Sequence, residues 1–383
     1  MKRKIKIAYI SSFAPRVCGI ASFTRDLILA SNRIKEVKES KVIALNRGKH
    51  VNYGQEVVYS FDDSKREEYQ KAAEYLNRSD FDIVSLQHEY GLYDDYMGKG
   101  ITSLVKALKK PLITTFHMIS PIEEATTSQI EITKTLVNYS RYVVVMTKIA
   151  AECLRTSYQV NPKKIKVIPH GAPDISRDAG DWAKIKLGIK SKRIILTSIN
   201  IIRASRGIDL VIKALPKIIK LFPNLTYLVA GRDPEDVKQP YLYRKKIVQL
   251  VRNLNLQDTV KFENRYVSTE ELIDYIKATD IFITPYRPPE QSSSGSLAYA
   301  LAAGKVCIST PYNYARELLA DGRGIIVPWS SSTAIEKAVI TLLKNQKVME
   351  DISKKAYEYG RSMIWQSVAK QYIKLFIKVA NEK

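Results

Sequence analysis

Between Asp280 and Thr310 the chain places Glu290, Gln291, three serines (Ser292, Ser293, Ser294), Gly295 and Ser296 ahead of a small-residue run, Leu297 to Gly304. Such a polar turn opening a helix exposes backbone N–H groups that have no intrahelical partner. Together with the positive end of the helix dipole they suit a phosphate. Glu290, just ahead, could accept hydrogen bonds from hydroxyls of whatever the phosphate carries. Ser is also a common N-cap, so a capped turn with nothing bound is the plain alternative. Further positions have side chains fit for chemistry. Arg206, in Asn200-Ile-Ile-Arg203-Ala-Ser-Arg206-Gly207-Ile-Asp209, opens a helix and could meet a diphosphate, with Arg203 beside it. His117 ends one strand-like run, and His88 with Glu89 ends the run before it. A histidine there, titrating near neutrality, could donate to a hydroxyl or a developing charge. His170-Gly171 ends a further run and reads first as a hinge and second as a ligand contact. In the first turn, Arg16 and Gly19 precede a helix whose start offers N–H donors, and Gly19 lets a ligand approach the backbone. That turn is not GxGxxG, so no dinucleotide fingerprint is present. The pairs Asp62-Asp63 and Asp94-Asp95 read as solvated loop residues.

These residues are carried by a regular alternation of apolar strands and amphipathic helices. Strands are expected at 5–10, 41–45, 81–86, 111–116, 142–146 and 166–168, then again at 193–199, 226–230, 259–262, 281–284, 306–309 and 324–327. Helical periodicity fills the gaps. A βαβα order implies parallel sheets covered on both faces, with ligands outside the carboxyl ends of the strands. A Pro-, Gly- and Asp-containing loop, 169–181, interrupts the pattern once, and 383 residues exceed what one core usually serves. The expected class is α/β, two doubly wound Rossmann-like domains facing across a cleft, residues 1–175 and residues 176–363, followed by a last helical pattern at 364–383.

Composition narrows the function classes. No apolar run is long enough to cross a bilayer and no secretion signal opens the chain, so a cytoplasmic protein is expected. The three cysteines and four histidines have no metal-ligand spacing, and no metal site is expected. The 61 Lys+Arg against 39 Asp+Glu give +22, which favours anionic partners. The basic residues are dispersed, without an arm or tail, so nucleic acid is not an expected partner, whereas peripheral contact with an anionic membrane is.

Taken together, the turn Pro15-Arg16-Val-Cys-Gly19-Ile20, Thr115-Phe-His117, Pro169-His170-Gly-Ala-Pro-Asp174, Arg206-Gly-Ile-Asp209, Asp280 to Tyr286 and Glu290 to Gly304 resemble the retaining glycosyltransferases of family 4, of GT-B architecture, over nearly the whole chain. The subgroup looks mannosyltransferase-like. The resemblance implies transfer of a sugar, with GDP-mannose the favoured donor, to a hydroxyl of a glycan or lipid-linked acceptor, with anomeric retention and no cofactor or metal. It implies a donor on the second domain, an acceptor on the first, and a last helix, 364–383, that packs back on the first. His117 would contact the transferred sugar, Arg206 would stand for a diphosphate-binding lysine, and the catalytic set would be His117, Glu290 and Arg206. The donor would also meet Gly19, His170, Arg203, Gln291, Ser294, Gly295, Ser296 and Tyr299, and the acceptor Arg16, His88 and Glu89. Two glutamates separated by seven residues are usual in the family. Aligned on Gly304, they fall on Gln291 and Tyr299, leaving Glu290 as the spare carboxylate. That departure motivates an alternative, a non-catalytic module of the same fold that binds a nucleotide sugar or anionic glycan.

Overall fold

The computed structural model describes residues 3–382 apart from 17, 94–97, 179, 235–238 and 240. The chain forms two compact units, Met1–Gly171 with Trp365–Lys383, and Ala172–Ile364.

In the first unit the strands are β1 (Ile5–Ser11), β2 (Val37–Leu45), β3 (Val57–Phe61), β4 (Ile83–His88), β5 (Leu112–Phe116), β6 (Tyr142–Val145) and β7 (Ile165–Val167). They form one sheet in the order β3-β2-β1-β4-β5-β6-β7, with every pair parallel. The central strands β4 and β5 are buried throughout, because helices cover both faces and leave no residue for water. The helices are α1 (Gly19–Ser31), α2 (Arg66–Arg78), α3 (Gly100–Ala107), α4 (Thr127–Tyr139) and α5 (Lys148–Thr156). A last helix of the chain, Trp365–Asn381, belongs to the same unit and lies against α1. Gly171 makes its start possible, since a Cβ there would lie 2.1 Å from a ring carbon of Trp365. β3 was not among the expected strands; its alternation of part-buried and exposed positions is that of a sheet edge, too polar to stand out.

In the second unit α6 (Asp181–Lys186) leads into β8 (Ile194–Ile199), α7 (Ile208–Leu221), β9 (Leu225–Ala230), α8 (Leu242–Asn253), β10 (Val260–Glu263) and α9 (Thr269–Ala278). β11 (Ile281–Thr284), α10 (Gly295–Ala302), β12 (Val306–Ser309), α11 (Asn313–Leu318), β13 (Ile325–Ile326), α12 (Ser332–Lys344) and α13 (Gln346–Gly360) complete it, and the helix from Trp365 is α14. The strand order is β10-β9-β8-β11-β12-β13, again wholly parallel. Its core is aliphatic, with Leu196, Val211, Leu215, Val229, Ile281, Ile283 and Ile308 fully buried. The two short helices α6 and α11 escaped the periodicity, which needs more than six residues to show.

In each sheet the direction of winding reverses once, between β1 and β4 in the first unit and between β8 and β11 in the second. Loops leaving neighbouring strands there part to opposite faces and open a crevice, the usual ligand site of such sheets. Asp63 is fully buried and accepts the backbone N–H of Arg47 at 2.7 Å, which corrects the solvated reading. Asp62 accepts from Ser64 at 2.6 Å. Asp94 and Asp95 lie outside the described residues.

Candidate functional site

At the reversal point of the second sheet two loops are laced together. The loop after β8 forms a 3-10 turn, Ala204–Arg206, and enters α7 through Gly207 at φ +67°. A Cβ at Gly207 would lie 2.0 Å from the carbonyl oxygen of Pro285 in the loop after β11, so only glycine permits the approach. Arg287 then ties the two loops: its N–H donates to Ser205 O at 2.8 Å, its guanidinium to Ala204 O and, at 2.9 and 3.0 Å, to both carboxylate oxygens of Asp209. Burial alone would discourage charge on Asp209, but Arg287 and the Tyr243 hydroxyl at 2.7 Å outweigh it and lower its pKa.

This frame places Arg206. Its guanidinium lies over the Tyr286 ring, 4.4 Å from the centroid, and Nη1 donates to Gln291 Oε1 at 3.1 Å. Its Nε is buried without a partner. Gln291 Nε2 donates to Ser293 O at 2.8 Å, so that side chain is held as a strut between Arg206 and the serine turn. Glu290 next to it is part-buried, and its carboxylate makes no hydrogen bond or ion pair among the described residues. Its backbone is nevertheless held firmly. Asn313 N–H donates to Pro289 O at 2.9 Å, Tyr314 N–H to Gln291 O at 3.1 Å, and Ser292 Oγ to Glu290 O at 2.9 Å. The first two donors belong to the opening turn of α11, so a helix absent from the sequence reading fixes its most important loop. Ser294 caps α10, its Oγ accepting from Leu297 N at 3.4 Å, and Gly295 and Ser296 form the part-exposed first turn. Arg203 is part-buried, and its carbonyl accepts the Arg206 N–H at 2.9 Å. Tyr299 is 5% exposed within α10, on the core side.

The first unit has its own reversal point. Cys18 caps α1, Sγ accepting from Ala21 N at 3.3 Å and lying 2.9 Å from Ser12 Oγ. Gly19 is exposed, and a Cβ there would meet nothing within 4 Å, so the space in front of the helix start is open. Arg16 Nη2 donates to Leu92 O at 3.3 Å. His117 follows β5; its N–H donates to His88 O at 2.8 Å, and its Nε2 lies 3.0 Å from Gln87 Oε1. Because Gln87 Nε2 donates to Ser85 Oγ, Oε1 faces the imidazole and Nε2 carries the proton, leaving Nδ1 as acceptor. Burial, aided by the neighbouring His170 and His88, lowers the His117 pKa to about 3. The expectation of a group titrating near neutrality is thereby corrected: burial keeps the ring neutral at ordinary pH. Its face packs edge-on against Phe23 at 4.8 Å, as do His170 and Trp365 at 5.1 Å each.

His88 does not join this group. It is 1% exposed in a box of Tyr90, Tyr93 and Phe116, with its pKa lowered to about 3 by burial, and it offers no surface. Glu89 is part-buried, and its Oε1 accepts the Gly91 N–H at 3.4 Å. His170 is 7% exposed, with Nδ1 2.7 Å from Gly171 O. Asn200 and Tyr286, at the heart of the second crevice, were not among the expected site residues; their positions at the ends of β8 and β11 were the available signal. Among the described residues no group of three or more His, Cys, Asp or Glu side chains could hold a metal ion, and no helix is long and apolar enough to cross a membrane.

Comparison with known proteins agrees with this geometry. The family model described as glycosyl transferases group 1 matches residues 182–359, and the one described as glycosyltransferase family 4 matches residues 40–174. An uncharacterised glycosyltransferase of Methanocaldococcus jannaschii is 27% identical over 80% of this chain and 77% of its own length. The alpha-monoglucosyldiacylglycerol synthase of Streptococcus pneumoniae is 24% identical over 82% and 72%. In fold, the Anabaena protein HepE, solved with UDP and glucose, superposes with a TM-score of 0.77 over 98% of this chain and 100% of its own, at 14% identity. With one family model lying in each unit and both sheets wound alike, the chain belongs to glycosyltransferase family 4 and has the GT-B fold.

Proposed function

We propose that the protein transfers a hexosyl group from a nucleotide sugar, GDP-mannose being the favoured donor, to a hydroxyl of a glycan or lipid-linked acceptor with retention of anomeric configuration. The observation that carries this reading is the crevice between β8 and β11, where Arg206, the start of α10 and the unpartnered Glu290 carboxylate share one laced pair of loops. Arg206 and the helix N-terminus supply fixed positive charge to the diphosphate as it leaves, the role a divalent cation plays in other enzymes. Glu290, whose carboxylate has no partner among the described residues, accepts from hydroxyls of the sugar, whereas Gln291 is already tied to Arg206 and Ser293. His117, neutral, accepts from a sugar hydroxyl on the first unit. No side chain acts as covalent nucleophile; the acceptor hydroxyl attacks on the face the diphosphate leaves and gives its proton to the departing phosphate oxygen as the anomeric C–O bond to it breaks, which gives retention.

The test is a panel of GDP-, UDP- and ADP-sugars scored for thermal stabilisation and for hydrolysis or transfer. GDP-mannose is expected to stabilise most, and a larger effect of UDP-glucose would reassign the donor. In the same assay Glu290→Ala is expected to lose about ten- to a hundredfold in kcat/KM, the worth of a charged hydrogen bond to a hydroxyl. Turnover near that of the unsubstituted chain would remove Glu290 from the site.

The same reading puts the protein at an anionic membrane face. Supporting it, Lys166 and Lys378 lie 5.0 and 4.9 Å from the Tyr142 ring centroid at the β7 edge of the sheet, where Glu382 meets Lys378 at 3.8 Å and Val167 is exposed. Each lysine near an acidic surface adds about 1 kcal/mol. Co-sedimentation with vesicles is therefore expected to rise with phosphatidylglycerol content and to fall for Lys166→Glu/Lys378→Glu; binding indifferent to acidic lipid would rule this surface out.

A further inference from the structure

We infer that Asn200 is a ligand-contacting residue of the second crevice and that Tyr286 is the residue that positions it. The inference rests on the donor-site reading above and adds to it a hydrogen-bond donor that the sequence did not reveal.

Asn200 follows β8, directly at the point where the sheet reverses. Its backbone N–H donates to Ala230 O at 3.0 Å, and a Cβ on neighbouring Gly231 would lie 1.7 Å from Asn200 O, so the residue is locked in place from the β9 side. The Tyr286 hydroxyl donates to Asn200 Oδ1. That bond fixes which way the amide faces and leaves Nδ2, with its two protons, buried and without a partner. A buried amide donor left unmatched costs about 1–3 kcal/mol, so an oxygen belonging to a ligand is the natural partner.

Tyr286 is itself held on several sides. Its ring stacks on Tyr312 at 4.9 Å with a 14° tilt, its hydroxyl lies 3.4 Å from Ser294 Oγ, and its carbonyl accepts from Thr310 Oγ1 at 2.5 Å. Tyr312 donates to Thr284 Oγ1 at 3.1 Å, tying the stack to β11. One aromatic side chain thus touches three groups at once: its face carries the Arg206 guanidinium, and its hydroxyl reaches Asn200 and the α10 cap. The two residues it contacts, Asn200 and Arg206, each keep an orphan N–H donor, at Nδ2 and Nε. Two N–H donors on groups held by one tyrosine, Arg206 by its ring and Asn200 by its hydroxyl, suit an anionic oxygen, and in a nucleotide sugar the diphosphate supplies it.

The experiment measures binding of UDP and of GDP to the full chain by calorimetry for the unsubstituted protein, Asn200→Ala, Asn200→Asp and Tyr286→Phe. Asn200→Asp is isosteric and still accepts the Tyr286 bond, so a merely structural role predicts that it resembles the parent. Ligand contact predicts the reverse. Asn200→Ala is expected to weaken binding about tenfold and Asn200→Asp further, because its carboxylate repels the diphosphate; Tyr286→Phe should weaken it about three- to tenfold with little change in melting temperature. Binding by Asn200→Asp equal to or tighter than that of Asn200→Ala would overturn the inference. If the unsubstituted chain binds neither nucleotide, the donor-site reading itself fails, a distinct result that takes the role of Asn200 with it.

Discussion

Replacing Arg206 with alanine is expected to lower kcat for sugar transfer by about 10²–10³, corresponding to roughly 2.7–4 kcal/mol of lost transition-state stabilisation. The guanidinium matters because its charge is fixed in position before the reaction begins: the Tyr286 face lies below it at 4.4 Å, and Gln291 holds one edge at 3.1 Å. No reorganisation is then needed as negative charge builds on the leaving diphosphate. The fold should survive, since Arg206 is only part-buried and its loss leaves Gln291 short of about one hydrogen bond. Lysine is expected to fall between the two, restoring charge but neither the planar stack nor the fork of donors. The check is steady-state kinetics beside a thermal melt. Transfer by Arg206→Ala within about threefold of the parent would remove the residue from the mechanism.

Mild acid is expected to unfold the first unit while the second persists. His88, His117 and His170 all lie in the first unit, and burial lowers their pKa values to about 3, about 3 and about 4 from an ordinary 6.5. The second unit contains no histidine. A histidine whose folded pKa is depressed is neutral in the fold, while its unfolded counterpart takes up a proton below pH 6.5. Its contribution is therefore intact above that value and lost as pH falls toward 3–4. Each such residue removes about 1.4 kcal/mol per pH unit in that window, so three remove about 4 kcal/mol per unit. Against a stability on the order of 5–15 kcal/mol, that is enough to unfold the unit near pH 5 to 4. Trp365 packs on His170 and Phe23 in this unit, whereas Trp182 and Trp329 belong to the second and are 48% and 38% exposed. Fluorescence of a Trp182→Phe/Trp329→Phe variant through urea melts at pH 7.5, 6.5, 5.5 and 4.5 would follow the first unit alone. A midpoint that does not move between pH 6.5 and 4.5 would mean that these histidines are solvated.

Much of the fold was legible because it is built from local rules. β11 and β12 fall where apolar runs between turn residues put them, and α7 fills the gap between two expected strands, since a strand or a long amphipathic helix declares itself within its own residues. Elements too short or too polar for a periodic signal, β3, α6 and α11, did not declare themselves. Of these, α11 mattered most, because its first N–H groups hold the loop that presents Glu290.

The sequence by itself determined two parallel α/β sheets, the strand ends at which ligands would bind, and the residue types gathered there. Those follow from periodicity, turn chemistry and the rule that a parallel sheet opens at its carboxyl edge, all readable a few residues at a time. Only the tertiary structure decided which side chains are spent and which are spare. Gln291 is consumed by Arg206 and Ser293, while Glu290 beside it is not. His88 sinks into an aromatic box, and His117 loses its charge to burial. Asn200 becomes a directed donor because a tyrosine 86 positions away takes its carbonyl oxygen. Hydrogen-bond partners and desolvation depend on atoms brought together across long stretches of chain, and no local pattern encodes them.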